Sequence, residues 1–271
     1  MPVKEKDIIK AIKELNLSGK AICVHSSLKS FGEVDGGAKT IINAFLKEKC
    51  TLLVPSFSYI CEVMPPENRI KRNGIDYNKA LWIDPKGRDM VYTPESKEIS
   101  RDMGAIPAEI IRMKDRVRGR HPIRSFAAIG PYAQELVKDQ KPMDVYAPLR
   151  ELALFNGFIL LMGVGLNRMT AIHLAEQTAG RKMFVRWANG PDKKPMMVEI
   201  GACSEGFEKL APVLSVIEKR ITVGESLWRV FQMQAFLKRA AAAIQIKPEI
   251  THCDKADCMR CNDMIAGGPV I

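Results

Sequence analysis

The sequence has little histidine: four in 271 residues, His25, His121, His173 and His252. Imidazole chemistry near neutral pH therefore has few candidates. No apolar run reaches the roughly 18 residues that a membrane-spanning helix needs, and the longest, Phe158–Val164, is strand-sized. The N-terminus, MPVKEKDIIK, has no apolar signal-peptide core, so a cytoplasmic protein is expected. Cytosolic thiols stay reduced, and the seven cysteines are accordingly not read as a disulfide framework. There is no G-K-[ST] phosphate loop. Gly163-x-Gly165 starts a dinucleotide fingerprint, but Arg168 stands where its third glycine belongs. Internal repeats and low-complexity stretches are absent.

What remains is an ordinary globular composition, with 46% apolar and 27% charged residues. The length fits one large domain or a domain with a small appendage. Lys and Arg outnumber Asp and Glu by 41 to 31, a net charge of +10 that favours anionic partners. Arg112, Lys114, Arg116, Arg118, Arg120 and Arg124 form the densest basic stretch, either a solvated loop face or a phosphate-contacting surface. It holds no aromatic residue on which nucleic-acid bases could stack.

Periodicity predicts an amphipathic helix over Lys4–Leu15, a buried strand at Ala21–Ser26, a helix opened by Gly36-Gly37, and a strand at Thr51–Phe57, the order of a βαβ unit. Residues 58–101 are rich in turn chemistry and read as a long insertion. Helices are expected over Gly104–Met113, Tyr132–Lys138, Pro148–Phe155 and from Thr170 to about Ala179. Strands are expected at Ser125–Gly130 and Phe158–Val164, with a hairpin of Met183–Trp187 and Met196–Ile200. Two or three helices then run to Ile246. The fold class is therefore α/β, a central mixed β-sheet flanked by helices. Residues 1–246 form the main domain and 247–271 a Cys/His-containing tail.

His173 is the histidine best placed for chemistry. It precedes Glu176 by three residues on a helix that follows the most apolar strand, so both side chains share one face. Ligands of open α/β sheets bind past the carboxyl ends of strands. Thr170 reads as the N-cap of that helix. In the tail, His252, Cys253, Cys258 and Cys261 are the candidate zinc ligands. The adjacency of His252 and Cys253 is awkward for one ion, and the preferred reading is reduced thiols with no metal. Cys23, Cys50, Cys61 and Cys203 read as ordinary residues.

Read together, these segments resemble a known family. The run Val24-His25-Ser26-Ser27-Leu28-Lys29-Ser30-Phe31-Gly32, then Gly36-Gly37-Ala38 and Leu53-Val54-Pro55-Ser56-Phe57, resembles the start of the aminoglycoside N(3)-acetyltransferases. So do Met103-Gly104, His121-Pro122-x-x-Ser125-Phe126, Leu161-Met162-Gly163-Val164-Gly165, and Thr170-Ala171-Ile172-His173-Leu174-Ala175-Glu176. Order and spacing hold over about residues 1–230. The resemblance implies an acyltransferase outside the GNAT group. It would use acetyl-CoA to acetylate an amine, the 3-amino group of an aminoglycoside, as in antibiotic resistance. The family's catalytic residues match His173 and Glu176. Its cofactor site matches Ser26, Ser27, Lys29 and Ser30, with His121 and Ser125 from a neighbouring segment. The partners implied are acetyl-CoA and a small amine, without nucleic acid or membrane, and a homo-oligomer is left open.

The chemistry agrees with that implication. An amine attacking a thioester must lose a proton, which calls for a positioned base and for no enzyme nucleophile. The departures lie in Val145-Tyr146-Ala147-Pro148-Leu149, where the family has a Gly and a Ser-Pro. A polycationic acceptor needs carboxylates, and the insertion, expected to line the acceptor cleft, offers Glu62, Asp76, Asp84, Asp89 and Glu95. The alternatives are an acyltransferase of another amine and a non-catalytic nucleic-acid-binding protein with a zinc tail.

Overall fold

The computed structural model describes residues 1–66, 73–80, 83 and 89–269. In chain order the elements are α1 (Glu5–Glu14), β1 (Ala21–Ser26), α2 (Gly37–Lys47), β2 (Thr51–Pro55), β3 (Glu62–Val63), α3 (Ala105–Arg112), β4 (Val117–Arg118), β5 (Phe126–Ile129), α4 (Ala133–Val137), α5 (Ala147–Leu154) and β6 (Phe158–Met162). There follow α6 (Ala171–Thr178), β7 (Phe184–Asn189), β8 (Pro195–Ile200), α7 (Ala211–Leu214), β9 (Lys219–Val223), β10 (Ser226–Gln232), α8 (Met233–Ile246) and α9 (Met259–Ile265).

The central sheet has seven strands in the order β4-β5-β2-β1-β6-β10-β9. Strands β2, β1 and β6 are parallel, and the strands outside them add antiparallel, so the sheet is mixed as expected. The parallel strands are apolar on both faces because helices cover both. Along β1, Ala21 and Cys23 enter one core, with α4, α5, α6 and α8, while Ile22 and Val24 enter the other, with α1, α2 and α3. The alternation repeats in β6, where Ile159 and Leu161 oppose Leu160 and Met162. A second sheet, β3-β7-β8, carries the expected hairpin, which pairs Phe184 with Ile200.

One expectation fails. Residues 219–232 form the hairpin β9–β10 rather than helix, and β10 pairs antiparallel with β6. Trp228 and Val230 alternate with more exposed Leu227 and Arg229, a period of two. Trp228 stacks on Phe45 at 5.9 Å and meets Phe31 edge-on at 6.1 Å, so tertiary packing sets the local structure. The hairpin turns at Gly224, with φ +60°, where a Cβ would sit 2.7 Å from the Phe31 carbonyl oxygen.

The parallel strands β1 and β6 end on the same edge. Their following loops, Ser27–Phe31 and Gly163–Thr170, lie side by side there, and Ser27 N–H donates to the Met162 carbonyl at 2.9 Å. Gly163 has φ +66°, and a Cβ on it would fall 1.9 Å from Ser30 Oγ. The Gly163-x-Gly165 signal thus belongs to the close approach of two loops. No described helix is long and apolar enough to cross a membrane.

Candidate active site

Helix α6 begins at the mouth opened by these loops and carries His173 and Glu176 one turn apart. His173 Nδ1 lies 2.8 Å from Glu176 Oε2. The other carboxylate oxygen accepts from Arg181 Nη1 at 2.6 Å and from Thr251 Oγ1 at 3.1 Å. Arg181 also donates to Thr251 Oγ1 and to the Pro248 carbonyl. The side chains of His173, Glu176 and Arg181 are 6%, 2% and 8% exposed, so the buried carboxylate has its counter-charge and its hydrogen bonds in place. Arg181 and Thr251 were not foreseen. No local pattern joins residue 251 to residue 176, which only the fold brings together.

A carboxylate only accepts, so Nδ1 carries a proton, and in the neutral form of the ring Nε2 is the nitrogen with the lone pair. The ring is fixed from three sides. Tyr146 lies parallel to it at 6.0 Å, Phe207 meets it edge-on at 4.9 Å, and the Gly201 backbone presses on it. A Cβ at Gly201 would lie 2.6 Å from the His173 ring and 2.3 Å from Tyr146 Oη. Tyr146 Oη is buried without a partner among the described residues, and burial pushes its phenol pKa up, so it stays a neutral hydroxyl.

His173 forms part of the wall of a cavity of about 810 Å³. Of the residues proposed from sequence for the cofactor site, Ser26, Ser27 and Lys29 line the same cavity. Ser30 does not; its hydroxyl donates to the Ser27 carbonyl and pairs with Ser226 Oγ at 2.8 Å, closing the loop against β10. His121 and Ser125 also lie off the cavity. His121 accepts the Arg124 amide N–H at Nδ1 (2.9 Å) and therefore donates from Nε2 to the Glu199 carbonyl (2.7 Å). Burial pushes its pKa down to about 3. Ser125 accepts from Arg118 Nε at 2.9 Å and donates to the Ser56 carbonyl. This segment instead sends Arg124 to the cavity, its guanidinium over the Phe57 ring at 5.3 Å and its buried Nε unpartnered among the described residues. His25 lines the cavity as well, and burial pushes it down to about 4, so its ring is neutral.

In the basic stretch Arg112, Lys114 and Arg120 are exposed, while Arg116 and Arg118 turn inward. Arg116 donates to the carbonyls of Ile111, Pro94 and Glu95, and Arg118 to those of Ser56, Ser96 and Glu98, clipping the chain before α3 in place. Among the described residues, the cations at the cavity are Lys29, Arg124, Arg168 and Arg260. Among the described residues, the carboxylates there are Asp102 and Glu205, and no described carboxylate of the insertion lines it. Glu62 is buried 4.0 Å from Arg186, Asp76 caps its own turn, Asp89 and Glu95 do not line the cavity, and Asp84 lies outside the described residues. Among the described residues of the insertion, Tyr59 lines the wall. Thr170 makes no side-chain cap bond and faces the cavity instead.

In the tail, Cys253, Cys258 and Cys261 come together, and the fourth member of the group is Cys203 rather than His252. His252 Nε2 pairs with Asn262 Oδ1 at 2.9 Å.

A buried His–Glu pair on the helix that follows β6 thus opens on a large cavity at one edge of a mixed α/β sheet. Residues 23–245 match the profile of the family described as aminoglycoside 3-N-acetyltransferase, and the chain belongs to that family. Aminoglycoside N(3)-acetyltransferase IX of Micromonospora chalcea is 32% identical over 196 residues, 69% of this chain and 66% of that protein. This chain matches 60–67% of the length of such curated relatives. Among solved structures, the apoenzyme of aminoglycoside acetyltransferase AAC(3)-IVa superimposes with a TM-score of 0.77 at 23% identity over 98% of both chains. AAC-IIIb, solved as a binary complex with CoASH, gives 0.73 at 19% identity over 91% of this chain and 98% of that one.

Proposed function

We propose that the protein transfers the acetyl group of acetyl-CoA to an amine, the 3-amino group of an aminoglycoside, and so serves antibiotic resistance. The observation that carries this is the His173–Glu176 pair. With Nδ1 held by the carboxylate, Nε2 is the free base in the wall of the cavity of about 810 Å³. The amine nitrogen bonds to the thioester carbonyl carbon while its proton passes to His173 Nε2. The carbon–sulfur bond then breaks, and the imidazolium returns the proton to the departing thiolate. Glu176 at 2.8 Å stabilises the imidazolium while it lasts, and the Arg181 hydrogen bond holds the carboxylate in that orientation.

The cosubstrate is an anion, and Lys29, Arg124, Arg168 and Arg260 are the cations that would hold its phosphates, together with the Ser26–Ser27 turn. A relative's complex with CoASH supports this assignment. Asp102 and Glu205 suit a cationic acceptor. The test is thiol release from acetyl-CoA across a panel of aminoglycosides and simple polyamines. Turnover is expected with aminoglycosides bearing a free 3-amino group. Turnover confined to other amines would replace the acceptor and leave the transfer chemistry standing. No thiol release with any amine would overturn the reading.

A further inference from the structure

The four sulfurs of Cys203, Cys253, Cys258 and Cys261 all lie within 4.8 Å of one another. A tetrahedral zinc with Zn–S bonds of about 2.3 Å sets its sulfurs roughly 3.8 Å apart. The described positions thus need only small inward shifts to enclose an ion. The three tail cysteines are close in sequence, but Cys203 comes from the loop after β8, so the cluster joins two distant segments. None of the four is in a disulfide, and Cys253 and Cys261 are buried, at 6% and 4% exposure. The surroundings are those of a metal knuckle. Cys258 is the N-cap residue of α9, Cys261 lies in that helix's first turn, and the Cys253 amide N–H points at Cys261 Sγ at 3.4 Å. Backbone N–H groups favour thiolates, and N–H···S bonds orient them as ligands.

We infer that Cys203, Cys253, Cys258 and Cys261 bind one zinc ion, and that this ion locks the C-terminal tail onto the wall of the active-site cavity. Four protein ligands close the coordination sphere, so the ion is structural and takes no part in the reaction. Binding expels the thiol protons, leaving four thiolates on the metal. The lock acts at two places. Cys203 lies beside cavity-lining Ala202 and Ser204 and two residues from Gly201, which packs on the His173 ring. Thr251, two residues before Cys253, donates to Glu176. His252 is not a ligand, because its ring is engaged with Asn262.

The experiment is elemental analysis of untagged full-length protein purified without added metal, with native-state thiol titration alongside. About one zinc per chain is expected, with these four thiols unreactive until a chelator is added. Cys203→Ser should lose most of the zinc, while His252→Ala and Cys50→Ser retain it. Should Cys203→Ser fail to fold, cobalt exchanged into the wild-type protein reads the ligand set, and its absorption must be that of a tetrahedral tetrathiolate. Zinc-free protein whose four thiols all react in the native state would overturn the site. A zinc lost from His252→Ala but kept in Cys203→Ser would overturn the ligand set, and stoichiometric iron would overturn the choice of metal. Metal content is read independently of acetyl transfer, so failure of one reading is distinguishable from failure of the other.

Discussion

At the scale of single residues, His173 bears the heaviest expectation. His173→Ala should lower kcat by roughly 10²- to 10⁴-fold while CoA binding is retained, the usual loss for a general base. Calorimetry with CoA beside steady-state kinetics checks both halves, and near wild-type turnover would remove the residue from the chemistry. Glu176→Gln should lower kcat more than it raises KM, because the carboxylate acts through the imidazole. His121 supplies a different test. Its pKa is about 3 in the folded protein against about 6.5 unfolded, so the unfolded chain binds the extra proton as pH falls between those values. Stability therefore declines from about pH 6.5 toward pH 3, by up to roughly 1.4 kcal/mol per pH unit from this group. Denaturant midpoints measured between pH 7 and pH 4.5 should fall for the wild type and fall less steeply for His121→Asn. The pair His173–Glu176 was legible from sequence because the helical repeat puts positions three apart on one face. The inward turn of His121, Ser125 and Ser30 was not, because a short polar residue beside a loop reads the same whether it faces a ligand or a backbone carbonyl.

At the scale of elements, the loop after β8 and the tail behave as supports for α6. Gly201→Ala should push the His173 ring or Tyr146 from its place. A destabilisation of about 1–3 kcal/mol, typical of overpacking, is expected together with lower kcat. Equilibrium unfolding and kinetics on the same preparation would show whether the two losses travel together, and an unchanged kcat would mean that the ring has room to move. Strand β6 and the Ala21–Val24 part of β1 were readable as apolar runs, the pattern of parallel strands covered on both faces. The β9–β10 hairpin was missed although Gly224 marks its turn and Trp228 and Val230 alternate with Leu227 and Arg229. Charged residues on β9 and the exposed face of β10 hid the two-residue period inside a stretch that also suits a surface helix. The fourth sulfur of the tail cluster was unreadable for another reason: Cys203 is 50 residues before Cys253, and only the packing of the tail brings them together.

At the scale of the whole molecule, the chain carries an excess of ten positive charges, and four cationic side chains among the described residues line the cavity. CoA at millimolar concentration should raise the melting temperature, since a ligand that binds only the native state stabilises it by mass action. The anionic share of that binding should weaken as salt is added. A melting temperature indifferent to CoA would place the cofactor elsewhere. The most direct test of acetyl transfer itself is to incubate the protein with acetyl-CoA and an aminoglycoside bearing a free 3-amino group, count the thiol released, and locate the new amide by NMR. One acetyl group on the 3-nitrogen for each thiol released is the predicted result. An unmodified aminoglycoside, with thiol release no faster than in the absence of protein, would contradict the account.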